Sequence, residues 1–98
     1  MYENNLIKYK EEQIFIKNGQ LDLSDKAISN IFEIEAIQSY TNLKELILDH
    51  NLITEIQGLD KLKKLTTLSL EYNEITEISG LDKLENLKSL YLGANQTS

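Results

Sequence analysis

The chain has 98 residues, a formal net charge of −6, a single histidine, and no cysteine, proline or tryptophan. That length makes one domain, and without cysteine neither a disulfide framework nor a cysteine-ligated metal site can form. No apolar run reaches the length of a membrane span or signal peptide; the acidic balance disfavours nucleic acid and anionic membranes and favours basic partners, with the cytoplasm as default compartment.

Residues 1–13 are polar, with Tyr2, Leu6 and Tyr9 at i, i+4 and i+7. That is one stripe of an amphipathic helix. The spacing predicts an N-terminal helical cap within a leading segment 1–20; a partner-binding helix is the sharper alternative. Ile14-Phe15-Ile16 followed by Asn18-Gly19 predicts a strand entering a tight turn. Its partner strand is expected at Leu21–Leu23.

From Leu21 onward the chain repeats itself, giving about three and a half units over residues 21–98. Leu21, Leu23, Ile28, Ile31, Ile34 and Ile37 recur 25 residues later as Leu46, Leu48, Ile53, Ile56, Leu59 and Leu62. Thereafter the offset is 22, with columns Leu43/Leu65/Leu87, Leu46/Leu68/Leu90, Leu48/Leu70/Leu92 and Asn51/Asn73/Asn95. Ile53/Ile75, Ile56/Ile78, Gly58/Gly80, Leu59/Leu81 and Leu62/Leu84 follow the same offset. The first unit is three residues longer, which fits one added 3₁₀ turn near Tyr40, and Lys26 stands where later units have asparagine.

A two-residue step such as Leu46–Leu48 returns to one face of a strand but not of a helix. Short strands are therefore predicted at Leu21–Leu23, Leu46–Leu48, Leu68–Leu70 and Leu90–Leu92. The steps of three through Ile56, Leu59, Leu62 and Leu65 suit 3₁₀-like turns, in which i and i+3 eclipse. Each unit is then a strand, a turn at the asparagine and a return, and the return lets successive strands run parallel. Repeats of this period stack into a solenoid whose units bury their apolar faces against one another.

The run Leu43-x-x-Leu46-x-Leu48-x-x-Asn51-x-Ile53-x-x-Ile56-x-Gly58-Leu59-x-x-Leu62 resembles a leucine-rich repeat of the short 22-residue class. That class occurs in a regulatory subunit of protein phosphatase 1, in axonemal dynein light chains and in bacterial internalins. The Ile-x-x-Ile-x-Gly-Leu tail is closer to the phosphatase-regulator type. The resemblance implies an α/β, right-handed solenoid with short parallel strands on its concave face and 3₁₀ or irregular returns on its convex face. It also implies asparagines buried inside the turns, bonded to backbone groups of adjacent units, and a protein-recognition role rather than an enzymatic one.

In such a scaffold, function resides on the outward positions of the strands. By alternation these include Asp22, Glu45, Ile47, Asp49, Glu71 and Tyr91, with His50 and Tyr72 following the strands. Apolar anchors ringed by acids match the make-up of an interface core, so these eight residues are the candidate site for a basic protein partner. The competing reading is a solvated strand face that binds nothing in particular. No cofactor is implied. An acid–base pair of Asp49 with His50, or a calcium site from Asp22, Asp25 and Asp49, matches no motif spacing.

At the other extremity, Leu87–Asn95 supplies a strand and a turn without a following return. This predicts either a piece of a longer array or association of two copies through Leu87, Ser89, Tyr91 and Leu92, since an uncovered strand edge pairs with other chains. A closed homodimer is the form such a contact takes.

Overall fold

A computed structural model describes residues 6–34 and 37–96. Among the described residues, six strands form two sheets. Strands β1 (Leu6–Tyr9) and β2 (Glu12–Phe15) make an antiparallel hairpin. Strands β3 (Gln20–Asp22), β4 (Glu45–Ile47), β5 (Thr67–Ser69) and β6 (Ser89–Tyr91) form one sheet in sequential order, all neighbours parallel. The molecule is elongated, 47 × 30 × 19 Å, as expected when each unit contacts only its neighbours.

The parallel strands lie one residue earlier than the leucine pairs suggest, but the register is the one the columns require. Leu21 pairs with Leu46, Leu46 with Leu68, and Leu68 with Leu90. The ladder also continues past the formal strand ends: Leu23 N–H donates to Ile47 O, Leu48 N–H to Ser69 O, and Leu70 N–H to Tyr91 O, each at 2.8 Å.

The returns are chains of i→i−3 hydrogen bonds. In the second unit Leu62 N–H reaches Leu59 O at 3.0 Å and Leu65 N–H reaches Leu62 O at 3.2 Å. The first unit adds a step, with Tyr40 N–H on Ile37 O at 3.2 Å and Leu43 N–H on Tyr40 O at 3.0 Å. Two stretches are regular 3₁₀ helix, Ile31–Glu33 and Ile37–Ser39. Apolar residues at every third position therefore all face inward: Ile31, Ile53, Leu59, Leu62 and Leu65 are fully buried. Burial fades along the last unit. Ile56 is buried beneath the return of the following unit, whereas Ile78 is 56% exposed, and Leu87, Leu90 and Leu92 are partly exposed.

The asparagines tie the units together. Asn51 Nδ2 donates to Leu23 O and Leu48 O, and its Oδ1 accepts from Lys26 N–H and Ile28 N–H, all at 3.0 Å. Asn73 and Asn95 repeat the arrangement one and two units later. Each asparagine serves the unit before it, so Lys26 in the first unit leaves no ladder incomplete. Its ammonium lies 3.0 Å from Glu12 on the hairpin, an exposed pair of little energetic consequence.

The N-terminal segment corrects one expectation. No α-helix occurs among the described residues, and the cap over the first unit is the β1–β2 hairpin. Tyr2 lies outside the described residues. Leu6 and Tyr9, three apart, fall on opposite faces of a strand, and a stripe this short does not establish a helix. Ile7 and Tyr9, two apart, are the residues that point into the core, with Lys8 between them exposed. Two tyrosines fix the hairpin in place: Tyr9 OH donates to Glu33 Oε1, and Tyr40 OH donates to Leu6 O, both at 2.7 Å. The added turn of the first unit thus carries a residue that holds the cap.

The strand around Ile14 exists, but it pairs with β1 and not with β3. Only the bridge Lys17–Gln20 links the two, across Asn18-Gly19. Both turn residues have positive φ, 53° and 77°, the left-handed geometry of a tight hairpin turn, which glycine tolerates without a steric penalty.

Candidate functional site

The outward sheet face is built from residues that alternate with the buried leucines. Its charged members are Asp22, Glu45, Asp49 and Glu71, and all are acidic. Three of these carboxylates hold neighbours. Asp22 Oδ1 accepts from Ser24 Oγ at 2.7 Å and from Ser24 N–H at 3.0 Å. Glu45 Oε1 accepts from Gln20 Nε2 at 2.8 Å. Asp49 Oδ1 accepts from Ser69 Oγ at 2.6 Å and Glu71 N–H at 2.9 Å, linking the ends of two strands. Asp49 is thus a structural tie as well as a surface acid, and Ser69 beneath it is buried.

Among the described residues, the Glu71 carboxylate is the one acid of this face without a hydrogen-bond or ion-pair partner. It leans over Gly93: a Cβ placed on that glycine would lie 3.2 Å from Glu71 Oε2. Ile47 is half-buried between the acids, and Tyr91 is 50% exposed on β6.

Beyond the strands, each unit turns through a left-handed corner residue, and the first unit has a second such residue at Ala27, φ 56°. Asp25, His50, Tyr72 and Ala94 have φ of 59°, 57°, 58° and 58°, and from the second unit on each immediately precedes the ladder asparagine. The turn lets the asparagine side chain swing inside. It also aligns these four corner residues along one edge of the sheet face. His50 and Tyr72 stack there, with ring centroids 4.4 Å apart and planes 7° from parallel. The next corner residue, Ala94, has only a methyl group.

The eight candidate residues therefore form two adjoining groups. Asp22, Glu45, Ile47, Asp49, Glu71 and Tyr91 share the sheet face, and His50 with Tyr72 forms its rim. The stacking and the left-handed corner were not read from the sequence. Their signal is the column of residues just before the asparagines, which carries no hydrophobic pattern.

Catalytic and metal chemistry gain no support from this geometry. Asp49 bonds to Ser69 and Glu71, while His50 stacks on Tyr72. Among the described residues, no three aspartate, glutamate, histidine or cysteine side chains converge to hold a metal ion.

The family profile for leucine-rich repeats (2 copies) matches residues 41–83 and again 63–98. The chain belongs to the leucine-rich-repeat family. Solved structures agree with that assignment. An internalin (inlF) from Listeria monocytogenes superposes with a TM-score of 0.70 at 39% identity, over 82% of this chain and 23% of that one. Internalin C2 (inlC2) from the same organism gives 0.57 at 29% identity, over 82% of this chain and 44% of that one. The leucine-rich-repeat chain here thus spans less than half the length of either. Both are internalins, and neither supports the phosphatase-regulator type expected from the tail pattern. No curated protein matches the chain. Leucine-rich repeats build extended binding surfaces and serve as interaction scaffolds.

Proposed function

We propose that this chain is a non-enzymatic protein-binding scaffold that takes a basic protein partner on the outward face of its parallel sheet. The observation that carries the proposal is the sign of that face: its charged side chains, Asp22, Glu45, Asp49 and Glu71, are all acidic. Such a field steers a cationic partner and sets its rate of arrival. Ile47, Tyr72 and Tyr91 supply the area to be buried. The test uses two labelled peptides of equal length, one rich in lysine and arginine and one rich in glutamate, with fluorescence anisotropy as the readout. The basic peptide binds more tightly, and less so as salt rises. The double variant Asp22→Lys/Glu45→Lys weakens it and flattens the salt dependence. Equal binding of the two peptides, or a double variant indistinguishable from wild type, overturns the proposal.

A second reading rests on β6. Among the described residues no strand lies beyond it, and Leu87, Leu90 and Leu92 are partly exposed beside its outer edge. Two copies meeting through Leu87, Ser89, Tyr91 and Leu92 would cover this surface, forming a two-fold dimer. Light scattering across a concentration series decides it, because a mass that stays monomeric throughout removes this reading.

A further inference from the structure

We propose that Glu71, Tyr72, Gly93 and Ala94 form a subsite for one arginine side chain of the partner. The inference rests on the basic-partner reading and adds to it a position and a chemistry.

Two features meet there. The first is the aromatic face. His50 covers one side of the Tyr72 ring at 4.4 Å, and the corner residue of the following unit, Ala94, has only a methyl group to set beside it. Tyr72 is 55% exposed. The second is the carboxylate of Glu71, on the residue adjacent to that ring. It has no partner among the described residues, unlike the other three acids of the face. It rests over Gly93, where any side chain would crowd it, since a Cβ comes within 3.2 Å of Oε2. The two small residues of the fourth unit thus leave room beside both the ring and the carboxylate.

A planar guanidinium satisfies both features at once. It stacks on the open face of Tyr72 and presents its N–H donors to the carboxylate of Glu71. An ammonium has no plane to stack with, so lysine fits less well.

The test is a ¹H–¹⁵N NMR titration of the whole chain with Nα-acetyl-arginine amide, Nα-acetyl-lysine amide and Nα-acetyl-citrulline amide, the last being the neutral isostere. Arginine is expected to give saturable shifts centred on Tyr72, Gly93 and Ala94, lysine weaker ones, and citrulline none. Tyr72→Asn keeps a residue suited to left-handed backbone and removes the ring; its affinity for arginine should fall about two- to fivefold. Glu71→Gln and Gly93→Ala should weaken it as well, the latter by displacing the carboxylate. The same spectra show whether each variant is folded. Wild-type titration of folded Tyr72→Asn and Glu71→Gln overturns the subsite, as do shifts scattered evenly over exposed acids such as Asp60 and Glu85. If the basic peptide still binds these variants as it binds wild type but is lost on Asp22→Lys/Glu45→Lys, the subsite fails and the broader reading stands. If neither set of substitutions affects the peptide, the broader reading fails.

Discussion

The side-chain amide of Asn73 donates to Leu48 O at 2.9 Å, joining residues 25 apart in sequence and one unit apart in the stack. The same amide donates to Leu70 O at 3.1 Å and Glu71 O at 3.2 Å, while Oδ1 accepts from Ile53 N–H at 3.0 Å. One side chain satisfies four backbone groups in a place with little access to water. Leucine has similar volume and no polar atoms. Asn73→Leu should therefore cost about 1–3 kcal/mol for each group left unpaired, read as a fall in the urea midpoint. Asn95→Leu should cost less, because Asn95 is only partly buried and water can replace its bonds. Equal losses at the two positions would show that burial does not set the cost.

Leu68 and Leu90 occupy the same column, yet Leu68 is fully buried and Leu90 is not. Leu68→Ala should cost roughly 2–5 kcal/mol. Leu90→Ala should cost distinctly less, since its cavity opens to solvent on one side. Denaturant titration of both variants checks the order, and a reversed order would misplace the core.

Gly58 and Gly80 also share a column and a positive φ, 76° and 75°. What surrounds them differs. A Cβ at Gly80 would lie 2.0 Å from Ile56 O, a backbone atom held in the return, whereas at Gly58 it would meet the ring of Phe32 at 2.9 Å. Phe32 is exposed and can turn aside. Both alanine variants carry the left-handed strain of about 1 kcal/mol or more, but Gly80→Ala should lower the melting temperature further. Matching melting temperatures would contradict the difference in surroundings.

Tyr9 and Glu33 link cap stability to pH. Burial, and then the hydrogen bond and charge of Glu33, raise the Tyr9 hydroxyl from its ordinary 10.0 to about 12. The folded state therefore holds this proton more tightly, so the contribution is complete below pH 10 and is lost as pH climbs through about 12. Glu33 is shifted the other way: the hydroxyls of Ser29 and then Tyr9 lower it below its ordinary 4.5. Its contribution is present above that value and is lost as pH falls through the lowered one. Tyr9→Phe should make the wild type's decline in stability between pH 10 and 12 shallower. An alkaline limb unchanged by the substitution would separate this tyrosine from it.

Asp49 calls for a different experiment from the other acids of the face. Because its Oδ1 holds Ser69 Oγ and Glu71 N–H, reversing its charge should unfold the strand ends as well as alter binding. Asp49→Asn keeps one acceptor oxygen and should retain most of the stability, whereas Asp49→Lys should lose about 1–3 kcal/mol through the unpaired groups. If Asp49→Lys is as stable as Asp49→Asn, the tie is not structural.

The repeat itself was legible from residue spacing, for a physical reason. A two-residue step between leucines returns to one face of a strand but not of a helix, and steps of three suit a tight 3₁₀-like return. Columns at offsets of 25 and then 22 residues fix which leucine lies beside which, so Leu21–Leu46–Leu68–Leu90 follows without coordinates; the inward asparagines followed from the resemblance to leucine-rich repeats. The longer first unit, with its added turn near Tyr40, was readable in the same way. The cap was not. Leu6 and Tyr9 suit a helix stripe while Ile7 and Tyr9 suit a strand face, and only the fit of Ile7 and Tyr9 to the first unit, with the bonds from Tyr9 to Glu33 and from Tyr40 to Leu6, selects the hairpin. The same limit applies to the candidate site. Alternation alone placed Glu45, Asp49 and Glu71 on one face. Which carboxylates are engaged depends on partners one unit away, and the stacking of His50 on Tyr72 depends on a left-handed corner that brings side chains 22 residues apart into contact. Local spacing dictates which way a side chain points; what it meets there is decided by the neighbouring unit.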